Sequence, residues 1–217
     1  MAGRFKAKLI LDNIPFFNSA LLLIDPFLPQ KPKIKNSDRM ISLVQKIKKA
    51  SSKRGIKTIY VLSSAPRIGL EKSELAKHFR HTWDIPLTKY YQLPIGDPQE
   101  YHFNKNRYFS IPEPLQPQAD DFCIRKHAPS GFFDTRLDVL LQNLKIKYLF
   151  CISLSSDLSL LATTLDGCSL NYRVIALREA TCCFSYLKTI PQKTLLTTLE
   201  STVGYTVNMK DFLNALS

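Results

Sequence analysis

The 217-residue sequence lacks the features that mark membrane and secreted proteins. No apolar run approaches the roughly 18 residues that a membrane-spanning helix needs, so we predict no transmembrane segment. Residues 1–13 contain only a short apolar stretch after their charges, and a signal peptide requires about 7–15 apolar residues in a row. We therefore expect an intracellular, cytoplasmic protein.

The sequence also has little that could hold a metal ion. Its five cysteines are an odd number without any C-x-x-C pair, which indicates a reduced compartment. Cys123 and Cys151 lie in apolar runs, where cysteine usually acts as a small buried hydrophobe. The pattern formed by His78, His81 and Asp84 has no specific ligand spacing. We predict no metal and no cofactor.

The formal charge of +12 raises the question of a nucleic-acid partner. The densest basic stretches are short, at residues 31–35 and 46–54, and the second belongs to a helix with an apolar stripe. This pattern favours a solvated helix face over a nucleic-acid surface. A basic surface also suits an acidic partner or the surface of a membrane.

Strand-like and helix-like segments alternate along the chain. The apolar or β-branched runs that predict strands are 20–24, 58–62, 122–124, 148–153, 173–177 and 205–207. Helices are predicted between them: one from Ser37 to Gly55, one capped by Asp134, one with a stripe from Leu158 to Leu165, and one after Pro191. Strands joined through helices predict a three-layer α/β/α fold with a mostly parallel, doubly wound sheet. Without an internal repeat or linker, residues 1–217 are interpreted as one domain.

Residues 64–121 interrupt this alternation. They contain seven prolines and one plausible helix, at 71–79. A connection of this length is uncommon in a compact domain unless it serves function, which makes it a candidate pocket wall.

Three polar residues are expected to meet at one edge of the sheet. Asp25 and Lys126 each follow a predicted strand, and Ser159 lies in the first turn of the helix after another strand. Ligands of open α/β sheets bind beyond the carboxyl ends of the strands, and a helix N-terminus there favours developing negative charge. Taken singly, Asp25 could be a turn residue and Lys126 a solvated side chain.

The segment after Lys126 carries a more specific pattern. Lys126, Ser130, Phe132, Thr135 and Leu137 have the spacing of Lys-x-x-x-Ser-Ala-Phe-x-x-Thr-x-Leu, with glycine in place of the alanine. Together with the Asp25 and Ser159 segments, this pattern resembles the isochorismatase-like (cysteine hydrolase) family. The resemblance covers about residues 18–208 and leaves 1–17 as an N-terminal extension.

The resemblance implies a catalytic set of aspartate, lysine and cysteine. Asp25 would transfer protons, Lys126 would support it electrostatically, and Ser159 occupies the position of the nucleophilic cysteine. The family also implies a cis peptide at Leu154–Ser155 beside an oxyanion hole, and a pocket wall formed by 64–121. Substrate contacts are expected from Phe27, Phe132, Leu154 and Ser155. A small-molecule substrate and a homo-oligomeric state are further implications.

Serine at position 159 changes the expected chemistry. A serine hydroxyl needs an adjacent strong base, usually histidine, and His78 and His81 are candidates in the 64–121 segment. Three interpretations remain open. In the first, the protein hydrolyses C–N bonds and Ser159 is a weak nucleophile or a hydrogen-bond donor. In the second, Asp25 drives vinyl-ether hydrolysis by acid catalysis alone. In the third, the protein is a catalytically silent binding module.

Overall fold

The computed structural model describes residues 11–29, 37–63, 109–126, 128–154, 157–181, 191–202 and 204–217. Its main sheet contains β1 (Ser19–Ile24), β3 (Lys57–Ser63), β5 (Phe122–Lys126), β6 (Tyr148–Ser153), β7 (Arg173–Thr181) and β8 (Gly204–Val207). A small antiparallel pair joins β2 (Leu28–Pro29) to β4 (Phe109–Ser110). The helices are α1 (Ser37–Lys53), α2 (Leu137–Asn143), α3 (Asp157–Ser169), α4 (Gln192–Thr202) and α5 (Met209–Leu216).

The six strands of the main sheet are all parallel, in the order β5-β3-β1-β6-β7-β8. The chain winds outward from β1 through β3 to β5, and then from β6 through β7 to β8. The switch point of this doubly wound sheet lies between β1 and β6, which is where such folds bind ligands. The predicted fold class is confirmed, while a single domain over 1–217 stays a prediction.

Helices cover both faces of the sheet, because successive residues of its strands point in opposite directions. One core contains Leu21 and Leu23 of β1 and packs against α1 and α5. The other contains Leu22 and Ile24 and packs against α2, α3 and α4. Every residue of β1 is buried, which explains why residues 20–24 form a continuous apolar run after Ser19.

The predicted helix from Ser37 is confirmed as α1, and Gly55 follows its end with φ of +75°. Such a left-handed residue commonly ends a helix, and glycine adopts it without strain. The predicted cap of α2 by Asp134 is wrong. Asp134 itself has a left-handed φ of +51°, and the hydroxyl of Thr135 accepts a hydrogen bond from the Leu137 N–H instead, at 3.1 Å.

The last part of the irregular segment is fixed to the core of the sheet. Tyr60 of β3 donates a hydrogen bond from its hydroxyl to the carbonyl of the fully buried Leu115, and burial raises the pKa of this tyrosine. Lys48 of α1 forms an ion pair with Asp121 at 2.6 Å and donates to the Gln116 carbonyl at 3.3 Å. These contacts fix the position of the segment that leads into β5. The helix predicted at 71–79 lies outside the described residues.

Candidate active site

Lys126 is the centre of a buried polar cluster at the carboxyl edge of the sheet. It is the last residue of β5, and its side chain is 1% exposed. Its Nζ lies 3.0 Å from Oδ2 of Asp25 and 3.0 Å from Oγ of Ser159. The structure therefore brings together the three residues that the sequence predicted to meet.

Asp25 is held by the end of the neighbouring strand. Its N–H continues the ladder between β1 and β3 by donating to the Val61 carbonyl at 2.9 Å, and its φ is +44°. Oδ1 accepts the backbone N–H of Ser63 at 2.7 Å, and Oδ2 accepts the Ser63 hydroxyl at 3.0 Å. With the bond from Lys126, both carboxylate oxygens are engaged. These contacts fix the orientation of the Asp25 carboxylate at the carboxyl edge of the sheet.

Ser159 enters the cluster from the first turn of α3, as predicted. It is 2% exposed, and its Oγ accepts a hydrogen bond from Lys126. The hydroxyl of Thr163, one turn further along α3, accepts the Gly131 N–H at 2.9 Å. This contact ties the helix that carries Ser159 to the loop that follows Lys126, so the two residues are positioned by one connected piece of structure.

Three of the four residues predicted to contact the substrate lie in the described part of the chain, and all three are buried. Phe27 is 3% exposed, and Leu154 is fully buried in the core beneath α1 and α5. The ring of Phe132 stacks on Tyr172 at 5.7 Å between centroids and belongs to the opposite core. Ser155, and with it the predicted Leu154–Ser155 peptide, lies outside the described residues. The roles of these residues in substrate binding stay predictions.

Ser63 is a site residue that the sequence did not predict. It ends β3, and its hydroxyl contacts both Asp25 and Lys126. A serine after a strand has no distinctive pattern, but its place at the carboxyl edge of the sheet was a usable signal. The candidate bases His78 and His81 lie outside the described residues.

The structure explains why glycine stands at position 131, where the family pattern has alanine. A Cβ added at Gly131 would lie 2.7 Å from Cγ1 of Val61, well inside van der Waals contact. Valine has few rotamers available, so it cannot easily move aside. The glycine therefore accommodates the valine on the adjacent strand.

Introducing alanine by Gly131→Ala is expected to lower the free energy of unfolding by about 1–3 kcal/mol, because it overpacks this contact. Combining it with Val61→Ala removes the clash, so the double variant should lose less stability than the sum of the two single variants. Urea denaturation of all four proteins measures this coupling. Additive losses would contradict the proposed contact.

A doubly wound parallel sheet with an aspartate and a lysine at its carboxyl edge is typical of the isochorismatase-like class of hydrolases, and this chain has Ser159 beside them. The isochorismatase domain family matches residues 19–210, and the chain belongs to this family. The fold is shared by solved structures of low sequence identity. A cysteine hydrolase from Pseudomonas syringae pv. phaseolicola 1448A is 20% identical, with a TM-score of 0.72 and 94% of each chain covered.

Two proteins with named activities are also similar to this chain. N-carbamoylsarcosine amidase from Thermoplasma acidophilum is 21% identical, with a TM-score of 0.61, and the match covers 88% of this chain and 95% of that one. Ureidoacrylate amidohydrolase RutB from Serratia proteamaculans (strain 568) is 31% identical over 109 residues, or 50% of this chain. The match covers 43% of that relative's length.

Within the described ranges, no helix is long and apolar enough to cross a membrane. The same residues contain no group of three or more histidine, cysteine or acidic side chains arranged to hold a metal ion.

Proposed function

We propose that this protein hydrolyses a C–N bond of a small ureido or carbamoyl compound without a covalent intermediate. The observation that carries this proposal is the contact of Lys126 with both Asp25 and Ser159, each at 3.0 Å. This cluster brings together a proton acceptor in Asp25, a positive charge in Lys126 and an oriented hydroxyl in Ser159. The similarity to an amidohydrolase and an amidase suggests the substrate class.

In the proposed reaction, Asp25 accepts a proton from a water molecule while the water oxygen attacks the substrate carbonyl. Lys126 stabilises the negative charge that develops on the carbonyl oxygen, as a preorganised positive group in a buried site does effectively. Asp25 then returns the proton to the leaving nitrogen as the C–N bond breaks. The products are an acid and an amine or ammonia, and the carboxylate is regenerated.

Vinyl-ether hydrolysis, in which Asp25 would act first as the proton donor, is the alternative that the substrate panel tests. Nucleophilic attack by Ser159 would need a base that takes the proton of its hydroxyl. In the contact that the structure describes, Oγ of Ser159 accepts a hydrogen bond from the ammonium group of Lys126.

A substrate panel separates these reactions. The full chain is incubated with ureido acids, N-carbamoyl amino acids and simple vinyl ethers, and both ammonia and carbonyl products are measured. We expect ammonia release from one or more carbamoyl compounds. Carbonyl release from vinyl ethers without ammonia would contradict the proposal and favour the acid route.

One observation favours a second candidate function, a binding module without turnover. Asp25, Lys126 and Ser159 are each at most 2% exposed, which limits their access to a substrate. For this candidate, isothermal titration calorimetry with the same panel would detect binding while no product forms.

Replacing Ser159 with alanine should reduce kcat/KM by about 10–150-fold, because one hydrogen bond to a charged group, of about 1.5–3 kcal/mol, is lost. Removal of a nucleophile would instead reduce turnover by several orders of magnitude. The measurement is the steady-state rate on the best substrate of the panel. Ser169→Ala, an exposed serine on the same helix, is the matched control. Covalent labelling of Ser159 by a fluorophosphonate would contradict a reaction without a covalent intermediate.

A further inference from the structure

The hydroxyl of Ser63 lies between the two charged groups of the site. It donates to Oδ2 of Asp25 at 3.0 Å and accepts a hydrogen bond from Nζ of Lys126 at 2.6 Å. A hydroxyl has a single proton, so both directions of this bridge are determined. The hydroxyl forms a second connection between Asp25 and Lys126, beside their direct ion pair.

The ammonium group of Lys126 has three protons, and four oxygen atoms of the described residues lie within its reach. Besides Asp25, Ser63 and Ser159, the carbonyl of Ala128 lies 3.3 Å from Nζ. The bond to Ser63 is the shortest of the four and that to Ala128 the longest. With two protons directed at Asp25 and Ser63, the third is left for Ser159 at 3.0 Å.

We propose that Ser63 is a positioning residue whose hydroxyl orients the Lys126 ammonium toward position 159. The inference rests on the proposed function and adds to it a residue that touches neither substrate nor the attacking water. In a variant without this hydroxyl, the ammonium group turns toward Asp25 or Ala128, and its bond to position 159 weakens.

The backbone makes Ser63 suitable for this role. Ser63 is paired with Lys126 in the register between β3 and β5, so their Cα atoms are neighbours across the sheet. Its own N–H is fixed on Oδ1 of Asp25 at 2.7 Å. The backbone of Ser63 is therefore held on one side by strand pairing with β5 and on the other by the Asp25 carboxylate, and only its side-chain torsion remains to be set.

A thiol at position 159 reports on this orientation without requiring turnover. In S159C, a nearby ammonium group stabilises the thiolate, which raises the rate of alkylation by iodoacetamide at neutral pH. The rate is measured between pH 5 and 10 in S159C, S63A/S159C and S63T/S159C. A control variant, S51A/S159C, removes a buried hydroxyl that has no hydrogen-bond partner among the described residues.

The native cysteines are distinguished from the new thiol by mass spectrometry of the alkylated peptides. Burial raises the pKa of the Cys151 thiol to about 12, so this residue should stay unmodified in the folded protein. Cys123 is exposed, and partial burial together with Asp121 raises its pKa, which makes it a slow internal reference.

Removing the Ser63 hydroxyl is expected to slow alkylation at position 159 by about 3–10-fold at pH 7, with the midpoint of the pH profile about 0.5–1 unit higher. S63T/S159C, which keeps a hydroxyl, should recover the rate to within about 2-fold, and S51A/S159C should match S159C. Thermal melting of each variant establishes that it is folded.

Equal rates of alkylation at position 159 in S63A/S159C and S159C would overturn the proposal. So would an ordinary, slow thiol in S159C itself, because Lys126 would then not be directed at this position. A Ser63-dependent thiol in a protein that hydrolyses none of the panel compounds would support the positioning role while the proposed function fails. The two proposals can therefore fail separately.

Discussion

Replacing Lys126 with methionine is expected to lower the free energy of unfolding by about 3–5 kcal/mol. The substitution keeps the apolar stem but removes the positive charge that lies 3.0 Å from Asp25. Asp25 is 2% exposed, so its negative charge would remain buried with hydrogen-bond donors but without a counter-charge. Breaking one side of a buried ion pair is among the most destabilising single changes in a protein.

Urea denaturation, followed by circular dichroism, measures this loss. Lys57→Met is the matched control, since Lys57 is exposed at the start of β3, and its effect should stay within about 0.5 kcal/mol. Neutralising both partners in D25N/K126M should restore most of the stability. Equal unfolding midpoints for K126M and K57M would show that the ion pair does not stabilise the folded state.

Replacing Asp25 with asparagine is expected to reduce kcat by about 10²–10⁴-fold on whichever substrate the panel identifies, because the amide cannot accept the proton of the attacking water. Asparagine has nearly the same shape and keeps one oxygen that can accept the Ser63 N–H. The steady-state rates of the variant and the native protein give the effect, and thermal melting establishes that the variant is folded.

Asp120→Asn serves as the control for this variant, because Asp120 is exposed in the segment before β5. It should leave both kcat and KM unchanged. If D25N is folded and retains more than about a tenth of the native kcat, general base catalysis by Asp25 is excluded. The remaining activity would then have to come from Lys126 and Ser159.

The fold was predictable from the sequence because its central strands, β1 and β6, are buried on both faces. Continuous apolar runs such as 20–24 have no other good environment in a chain of this size, and the helical segments between them require parallel pairing. The final helix α5 was not predicted, although Met209, Phe212 and Leu216 have helical spacing and Asn208 caps the helix by accepting the Asp211 N–H at 2.8 Å. This signal was present and was overlooked.

The site was predictable only in part. Asp25, Lys126 and Ser159 each follow a strand, so topology alone brings them to one edge. Ser63 was missed because its importance comes from the register between β3 and β5, which pairs it with Lys126. The end of the predicted strand placed Ser63 at the carboxyl edge of the sheet, but the pairing of β3 with β5 joins segments distant in sequence and was not predicted.

Two other features depend on contacts between distant segments. The glycine at 131 is explained by Val61, which is remote in sequence and adjacent in space. Asp134 looks like a helix cap, but the hydroxyl of Thr135 accepts the Leu137 N–H. Sequence reasoning identified the right kind of residue near the start of the helix and chose the wrong neighbour.

The position of β1 at the centre of the parallel sheet has a consequence for synthesis of the chain. β1 is made well before its neighbour β6, which begins at Tyr148. Until the ribosome has passed that residue, one edge of a strand with five consecutive apolar residues has no partner, and such edges promote aggregation. A sheet assembled from non-local parallel pairs also folds slowly. Newly made chains of this protein should therefore depend on chaperones more than a helical protein of equal length.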